Sequence, residues 1–254
     1  MIIDILGRCD LGRVRTNNED LMLIGRETVR DRTYEMLAEL QAPNDRLVVA
    51  VADGMGGANA GEWASEYALG RLNHFLHHAP VDLDGEELSE LLGIWASETH
   101  QEICTEGLRN TDRQGAGTTV VGMLFHASGV ICFHAGDSRL YRYRAGHLVC
   151  LTTDHSMRQA SGDNNVPSNL LLNSLGGGER SWLERAPLPG GLQDYDRFLL
   201  CSDGLHDLID DQDISATLAA GRSTAVDALI QMANEAGGRD NISAVIVDVG
   251  RISP

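Results

Sequence analysis

The 254-residue sequence predicts an α+β fold of packed antiparallel sheets with helices on their outer faces. Three observations lead there. Strand-like and helix-like stretches come in blocks rather than in strict βαβ alternation. Between residues 118 and 151, short apolar runs recur at hairpin spacing with Gly129 and Gly146 in the turns. Two long stretches repeat apolar residues at helical spacing, with one buried stripe each.

In chain order, residues 4–10 and 20–25 read as short strands flanking a turn over 12–18. Residues 26–46 are mixed and polar, which predicts a loop with at least one helical turn. The continuous apolar run 47–52 ends in Asp53-Gly54 and predicts a buried strand followed by a turn. From 60 to 78, Trp63, Ala64, Tyr67, Ala68, Leu72, Phe75 and Leu76 form a helical stripe. A second helix over 86–108 carries Leu88, Leu91, Leu92, Trp95, Thr99 and Ile103 on one face. Strands follow at 118–125, 130–134, 139–144 and 147–151. Residues 152–192, rich in Ser, Asn, Gly and Pro, predict an irregular, mobile surface excursion. A strand at 197–202, an acidic turn, helices near 213–220 and 224–236 and a strand at 242–249 close the chain. No repeat or low-complexity linker divides it, so residues 1–254 read as one domain.

A net charge of −17 argues against nucleic acid, whose binding rests on neutralised phosphates. No stretch approaches the roughly 20 apolar residues of a membrane helix. The N-terminus holds an acid and no basic leader, so no signal peptide is expected. Cys9, Cys104, Cys132, Cys150 and Cys201 are odd in number and lack a C-x-x-C spacing. That argues against a disulfide framework or zinc site and suits a reducing cytoplasm.

The chemistry lies in acids at strand-to-loop boundaries: Glu19 and Asp20, Asp53, Asp203 and Asp240. Carboxylates gathered from distant segments suit hard divalent cations, which take oxygen ligands. A lone Asp-Gly is usually a plain turn, but Asp53-Gly54 and Asp203-Gly204 both follow apolar strands. Glycine at position 54 would let the backbone turn so that its carbonyl faces the point the Asp53 carboxylate faces. Asp240-Asn241 reads equally as an Asx turn. Arg15, four residues before Glu19, is a phosphate clamp if it lies beside the acids, and an ordinary surface arginine if not. Asp137 would add a carboxylate to the rim, and Arg139 a structural ion pair. His74 and His78 have zinc-like spacing but no third ligand, so a solvated helix face is expected; His126, His134, His147 and His155 default to packing. Gly176–Gly178 lacks the Lys-Ser/Thr of a P-loop and reads as a flexible loop.

Taken in order, Arg15-x-x-Asn-Glu-Asp20, Asp53-Gly-Met-Gly-Gly57, Gly115-Ala-Gly-Thr-Thr119, Gly136-Asp-Ser-Arg139, Ser202-Asp-Gly204 and Gly238-Arg-Asp-Asn241 resemble the bacterial branch of the metal-dependent serine/threonine protein phosphatases, the protein phosphatase 2C family. The resemblance covers about residues 5 to 249 and implies a four-layer αββα sandwich with a metal cleft at one end. It implies two Mn²⁺ or Mg²⁺ ions bridged by Asp53, with the Gly54 carbonyl on one and Glu19, Asp203 and Asp240 on the other, directly or through water. Asp20 would sit against or just behind them, Asp137 with Asp203 would hold a third, weaker ion, Arg15 would bind the phosphoryl group and Asn241 would orient Asp240. A water between the cations would then attack phosphorus in line, without a covalent intermediate. Met55 stands where animal members carry a histidine proposed to protonate the leaving group, which leaves that proton to water, on the third ion or free, or to another group. The segment 154–192 matches a mobile flap, shorter than is common. Phosphorylated proteins are the implied substrates, and a eukaryotic-type Ser/Thr kinase the implied opponent; one such pathway controls a secretion apparatus. A catalytically dead phosphopeptide-binding scaffold and a hydrolase of small phosphoesters are the competing readings.

Overall fold

A computed structural model describes residues 1–250 apart from 43, 58 and 164, so the last four residues of the expected domain lie outside the described residues. The chain opens with strands β1 (Ile2–Asp10), β2 (Asp20–Ile24), β3 (Glu27–Val29), β4 (Thr33–Glu39) and β5 (Leu47–Met55). Helices α1 (Ala60–His78) and α2 (Gly85–Arg109) follow, then a 3-10 turn (Thr111–Arg113). Next come β6 (Gly117–Thr118), β7 (Val120–His126), β8 (Gly129–Ala135), β9 (Arg139–Arg144) and β10 (His147–Cys150). The chain continues with α3 (Met157–Ser161), β11 (Glu184–Pro187), β12 (Arg197–Cys201), α4 (Asp203–His206), α5 (Asp211–Ala219), α6 (Arg222–Glu235) and β13 (Ile242–Val249).

The strands form two antiparallel sheets, ordered β10-β9-β12-β13-β1-β4 and β11-β8-β7-β5-β2-β3, with β6 added on β5. Their inner faces meet through Ile3, Ile5, Met22, Val49, Val51, Phe125, Phe198 and Val247. The outer face of the second sheet, with Leu23, Val48 and Ala50, lies under Leu72, Leu92 and Trp95 of α1 and α2. The outer face of the first, with Leu199, Ala244 and Ile246, lies under Ile214, Leu229 and Ile230 of α5 and α6. This is the four-layer αββα sandwich the resemblance implied. Central strands are covered on both faces, which is why they read as unbroken apolar runs rather than alternating ones. Helix α2 starts where a capping box allows: Asp84 accepts from the Glu86 and Glu87 N–H groups, and the Glu87 side chain returns to the Asp84 N–H.

Three expectations need correction. Residues 26–46 hold β3 and β4 rather than a helical turn. β4 is an edge strand in which Tyr34, Met36 and Ala38 alternate with exposed Thr33, Glu35, Leu37 and Glu39, and the exposed Leu37 blurs the pattern. Residues 152–192 are not irregular throughout. They contain α3, the edge strand β11 paired with β8, and bridges Ser156↔Leu171 and Thr118↔Leu175. All four residues of β11 are exposed, so no apolar run announces it. The supposed flexible loop at Gly176 is tied down, since its N–H donates to His100 Nδ1 at 3.0 Å.

Antiparallel pairing brings the expected site to one end of the sandwich. Asp20 opens β2 directly opposite Asp53 near the end of β5. Cys201, the last residue of β12, pairs with Ala244 near the start of β13, so Asp203 and Asp240 emerge together. Cys201 also pairs with Arg139, the first residue of β9, which adds Asp137.

Candidate active site

Arg15, Glu19, Asp53, Gly54, Asp137, Asp203 and Asp240 line one cleft of about 390 Å³, with Met55, Gly56, Gly57, Thr119, Asn169 and Leu171 on its rim. Asp20 is fully buried behind Asp53 and does not line the cleft. Asn241, 3% exposed, also sits behind it.

Each acid is positioned by backbone. Glu19 is held by its N–H donating to Asn241 Oδ1 (2.8 Å) and its carbonyl accepting from Gly54 N–H (3.1 Å). Asn241 Nδ2 donates to the carbonyls of Leu11 and Asn17, both at 3.0 Å, and the Asn241 N–H donates to Asp240 Oδ1 at 2.9 Å. Asn241 thus contacts Asp240 and pins the loop that carries Arg15 and Glu19. The Asp53 N–H donates to Thr119 Oγ1 (3.1 Å), and its carbonyl accepts from Thr119 N–H (2.8 Å) and Thr118 Oγ1 (3.0 Å). Thr119 Oγ1 in turn contacts Ser138 Oγ at 2.7 Å. The Ser202 hydroxyl donates to Asp20 Oδ2 at 2.7 Å. The two threonines and Ser202 were not singled out as site residues; the only sequence signal was their place inside the ordered motifs.

The glycines after Asp53 and Asp203 do not serve the turn expected of them. Gly54 continues β5, and a Cβ there would lie 2.0 Å from the Gly61 carbonyl oxygen of α1. A Cβ on Gly204, inside α4, would lie 2.0 Å from the Asn241 carbonyl oxygen. Both glycines are needed because another backbone crosses within contact.

Burial, reinforced by the neighbouring carboxylates, raises Asp53 and Asp137 well above the ordinary carboxylate range. Burial pushes Asp20 up to about 7, against the Ser202 hydrogen bond. Burial also raises Asp203, opposed by His206, and Glu19, opposed by Arg15. Glu19 Oε1, Asp20 Oδ1 and Asp203 Oδ1 are buried without a hydrogen-bond partner. Like-charged carboxylates with orphaned oxygens are costly unless a cation joins them. An all-oxygen donor set of this kind fits Mn²⁺ or Mg²⁺. Arg15 is half exposed and its Nη2 lies 2.6 Å from Asp240 Oδ2.

Several other candidates have structural work. Arg139 makes the expected ion pair, two-pronged to Asp154 at 2.9 and 2.7 Å. His74 and His78 lie on the exposed face of α1. His134, His155 and Glu184 bring possible ligand atoms within 4.8 Å of one another. They do not suit a metal, because His155 Nδ1 already accepts from Gly136 N–H (3.2 Å) and Asn173 Nδ2 (2.8 Å). The ring proton is therefore on Nε2, 3.1 Å from Glu184 Oε1. Since Gly136 O also accepts from the His155 N–H at 3.0 Å, His155 clamps the residue before Asp137 from both sides. On the other side, His206 Nε2 lies 3.1 Å from the Asp137 carbonyl oxygen.

Comparison with known proteins agrees with this geometry. The family description "Protein phosphatase 2C" matches residues 36–245. The serine/threonine phosphatase stp of Listeria monocytogenes is 31% identical over 253 residues, covering 95% of this chain and 94% of that protein. The catalytic domain of the serine/threonine protein phosphatase PstP, solved with two manganese ions, superimposes with a TM-score of 0.77 at 30% identity, covering 99% of this chain and all of that one. PppA of Pseudomonas aeruginosa, described as a key regulatory component of T6SS, superimposes with a TM-score of 0.72 at 31% identity over 96% of each chain. The chain belongs to the protein phosphatase 2C family, the metal-dependent serine/threonine phosphatases that its motifs resemble.

Proposed function

We propose that this chain is an active phosphatase that hydrolyses phosphoserine and phosphothreonine in proteins, using Mn²⁺ or Mg²⁺ in the acidic cleft. The observation that carries this is the set of buried carboxylate oxygens without partners beside Arg15. A scaffold with no catalytic task would gain stability by neutralising them, so the intact set weighs against the dead-member reading. Asp53, Asp203, Asp240, Glu19 and the Gly54 carbonyl would hold two ions, and Asp137 with Asp203 a third. When bound, the cations neutralise phosphoryl charge and lower the pKa of a water toward neutrality.

The chain's own groups do the rest. Asp20 and Asn241 support the ligands from behind. Arg15 offers a planar fork to two phosphoryl oxygens. Its present partner is Asp240, so a cation on that carboxylate would free the guanidinium for substrate. Among the described residues lining the cleft there is no histidine, and Met55 can donate no proton. Leaving-group protonation therefore falls to water. Residues 1–254 would act as one phosphatase domain, with 152–192 as its flap.

A eukaryotic-type Ser/Thr kinase is the natural opponent, and the likeness to PppA favours a pathway that governs secretion. Among the described residues no helix is long and apolar enough to cross a membrane. The five cysteines are free, in keeping with a reducing compartment such as the cytoplasm. The test is phosphate release from a phosphothreonine peptide with Mn²⁺, with a chelator, and from nucleotides in parallel. Release that needs metal and favours the peptide supports the reading. Equal turnover of nucleotides points to a small-phosphoester hydrolase, and no turnover to a scaffold.

A further inference from the structure

The chain contains no lysine; all 20 of its Lys-or-Arg positions are arginine, against 37 acidic residues. Most of those arginines hold a carboxylate or a backbone carbonyl. Arg13 and Arg239 are exposed and, among the described residues, hold neither. Both lie beside the cleft, on loops that abut backbone to backbone. The Arg13 N–H donates to the Gly238 carbonyl at 2.8 Å, and a Cβ on Gly12 would lie 2.2 Å from the Asp240 carbonyl oxygen.

Their side chains converge on one glycine pair. A Cβ on Gly238 would come 3.1 Å from Arg13 Cγ, and one on Gly237 would come 3.6 Å from Arg239 Cγ. Gly237 and Gly238 both have positive φ, +130° and +52°, which leaves their faces bare for the two arginine stems. The acids of these two loops and of the adjoining helix end have other partners. Asp240 is taken by Arg15, Asp10 by Arg8, and Glu235 accepts from Gln231. Gly56, Gly57, Asn169 and Leu171, which also line the cleft, carry no charge. In a molecule of net charge −17, two exposed arginines thus stand on the loops that carry Arg15 and Asp240.

Resting on the phosphoprotein reading above, we propose that Arg13 and Arg239 bind a second anionic group of the substrate. That group is a carboxylate or a further phosphoryl group close in sequence to the residue held by Arg15. Acidic or multiply phosphorylated segments are then the preferred substrates, against the repulsion of the rest of the surface. Exposed pairs of this kind are worth a factor of about 1.4–5 each, so the two give roughly two- to twenty-fivefold.

The experiment compares kcat/KM with Mn²⁺ on four phosphothreonine peptides, with neutral, acidic, arginine-flanked and doubly phosphorylated sequences, and on p-nitrophenyl phosphate. The wild type is expected to favour the acidic and doubly phosphorylated peptides, and to lose that preference in high salt. In Arg13→Glu/Arg239→Glu the preference disappears or inverts, while turnover of the aryl ester, which is too small to reach the lip, stays within about twofold of the wild type by the usual size of surface effects. A gain with acidic flanks alone identifies a carboxylate as the ligand; a gain with the second phosphate alone identifies a phosphoryl group. Equal rates on all four peptides, or a preference that survives the double substitution, overturns the inference. Turnover of the aryl ester with none of the peptides would sink the phosphoprotein reading, and this inference with it.

Discussion

Asp196 and Asp203 flank the two ends of β12, and the chain treats them in opposite ways. Asp196 is 1% exposed, yet each of its oxygens is met: Arg144 reaches them through Nε and Nη2 at 2.5 and 2.6 Å, and the Gln193 N–H adds a bond of 2.8 Å. Asp203 faces Asp53, Asp137 and Asp240 across the cleft, and its Oδ1 has no partner. A buried carboxylate used for structure brings its own cation in the chain. One used for chemistry leaves that position open to a cation from solution. The same backbone therefore ends in a sealed ion pair at one side of the sandwich and in an acidic cleft at the other.

Substitution at the two ends should separate these roles. Asp203→Ala or Asp53→Ala should cut turnover about a thousandfold or more, since a metal supplies several kcal/mol of transition-state stabilisation. The fold should survive, because relief of like-charge repulsion offsets the lost packing; near-normal kcat in either variant would refute the assigned ligands. Asp196→Ala should do the reverse. It leaves Arg144 unpaired and should cost about 2–3 kcal/mol in urea denaturation, below the 3–5 kcal/mol of a fully buried pair because Arg144 is 21% exposed. Arg15→Ala should weaken phosphoryl binding by about 1.5–3 kcal/mol, seen mainly in KM.

The contrast also predicts a pH dependence. Asp20 titrates at about 7 in the folded chain, raised from 3.8 by burial, so the native state keeps a proton the unfolded chain has released. Stability of the metal-free protein therefore falls as pH rises from about 4 to about 7. Asp207 moves the other way, down to about 2, because the nearby His206 ring and the Ser168 hydroxyl, which donates at 2.6 Å, outweigh the pull of burial, and so it acts below this window. In chelator, the melting temperature should be higher at pH 5 than at pH 8, and Mn²⁺ should erase most of the difference by replacing the protons. A melting temperature in chelator that rises between those values would contradict the raised carboxylates. The smallest effect is expected at His155. His155→Leu removes the acceptor for Gly136 N–H and should raise the Mn²⁺ concentration needed for activity by a few-fold, up to the 10–100-fold range of outer supporting groups. His155→Asn, which keeps an acceptor where Nδ1 stood, should restore it. Equal metal dependence in both variants would deny His155 its hold on Asp137.

Much of this was legible in the sequence because burial on both faces leaves continuous apolar runs. β5, β12 and β13 were read that way, and α1 and α2 by their stripes. β3, β4 and β11 were missed because edge strands expose polar side chains, and hydrogen bonds to a neighbour leave no mark on composition. The acids themselves were visible by type and position. The work of Thr118, Thr119 and Ser202 was not, since hydroxyls that brace a carboxylate from behind look like any others.

Sequence alone determined which residue types stand at the strand ends and that they arrive in the order of a known family of motifs. Tertiary structure decided that Gly54 and Gly204 answer a crossing backbone rather than a turn, and that Asn241 ties three distant backbone groups of one loop. Strand pairing across long stretches of chain also settled which carboxylates lack a partner. The physical reason is that hydrogen bonding and desolvation depend on what lies within a few ångströms in space, and neighbours along the chain do not specify that.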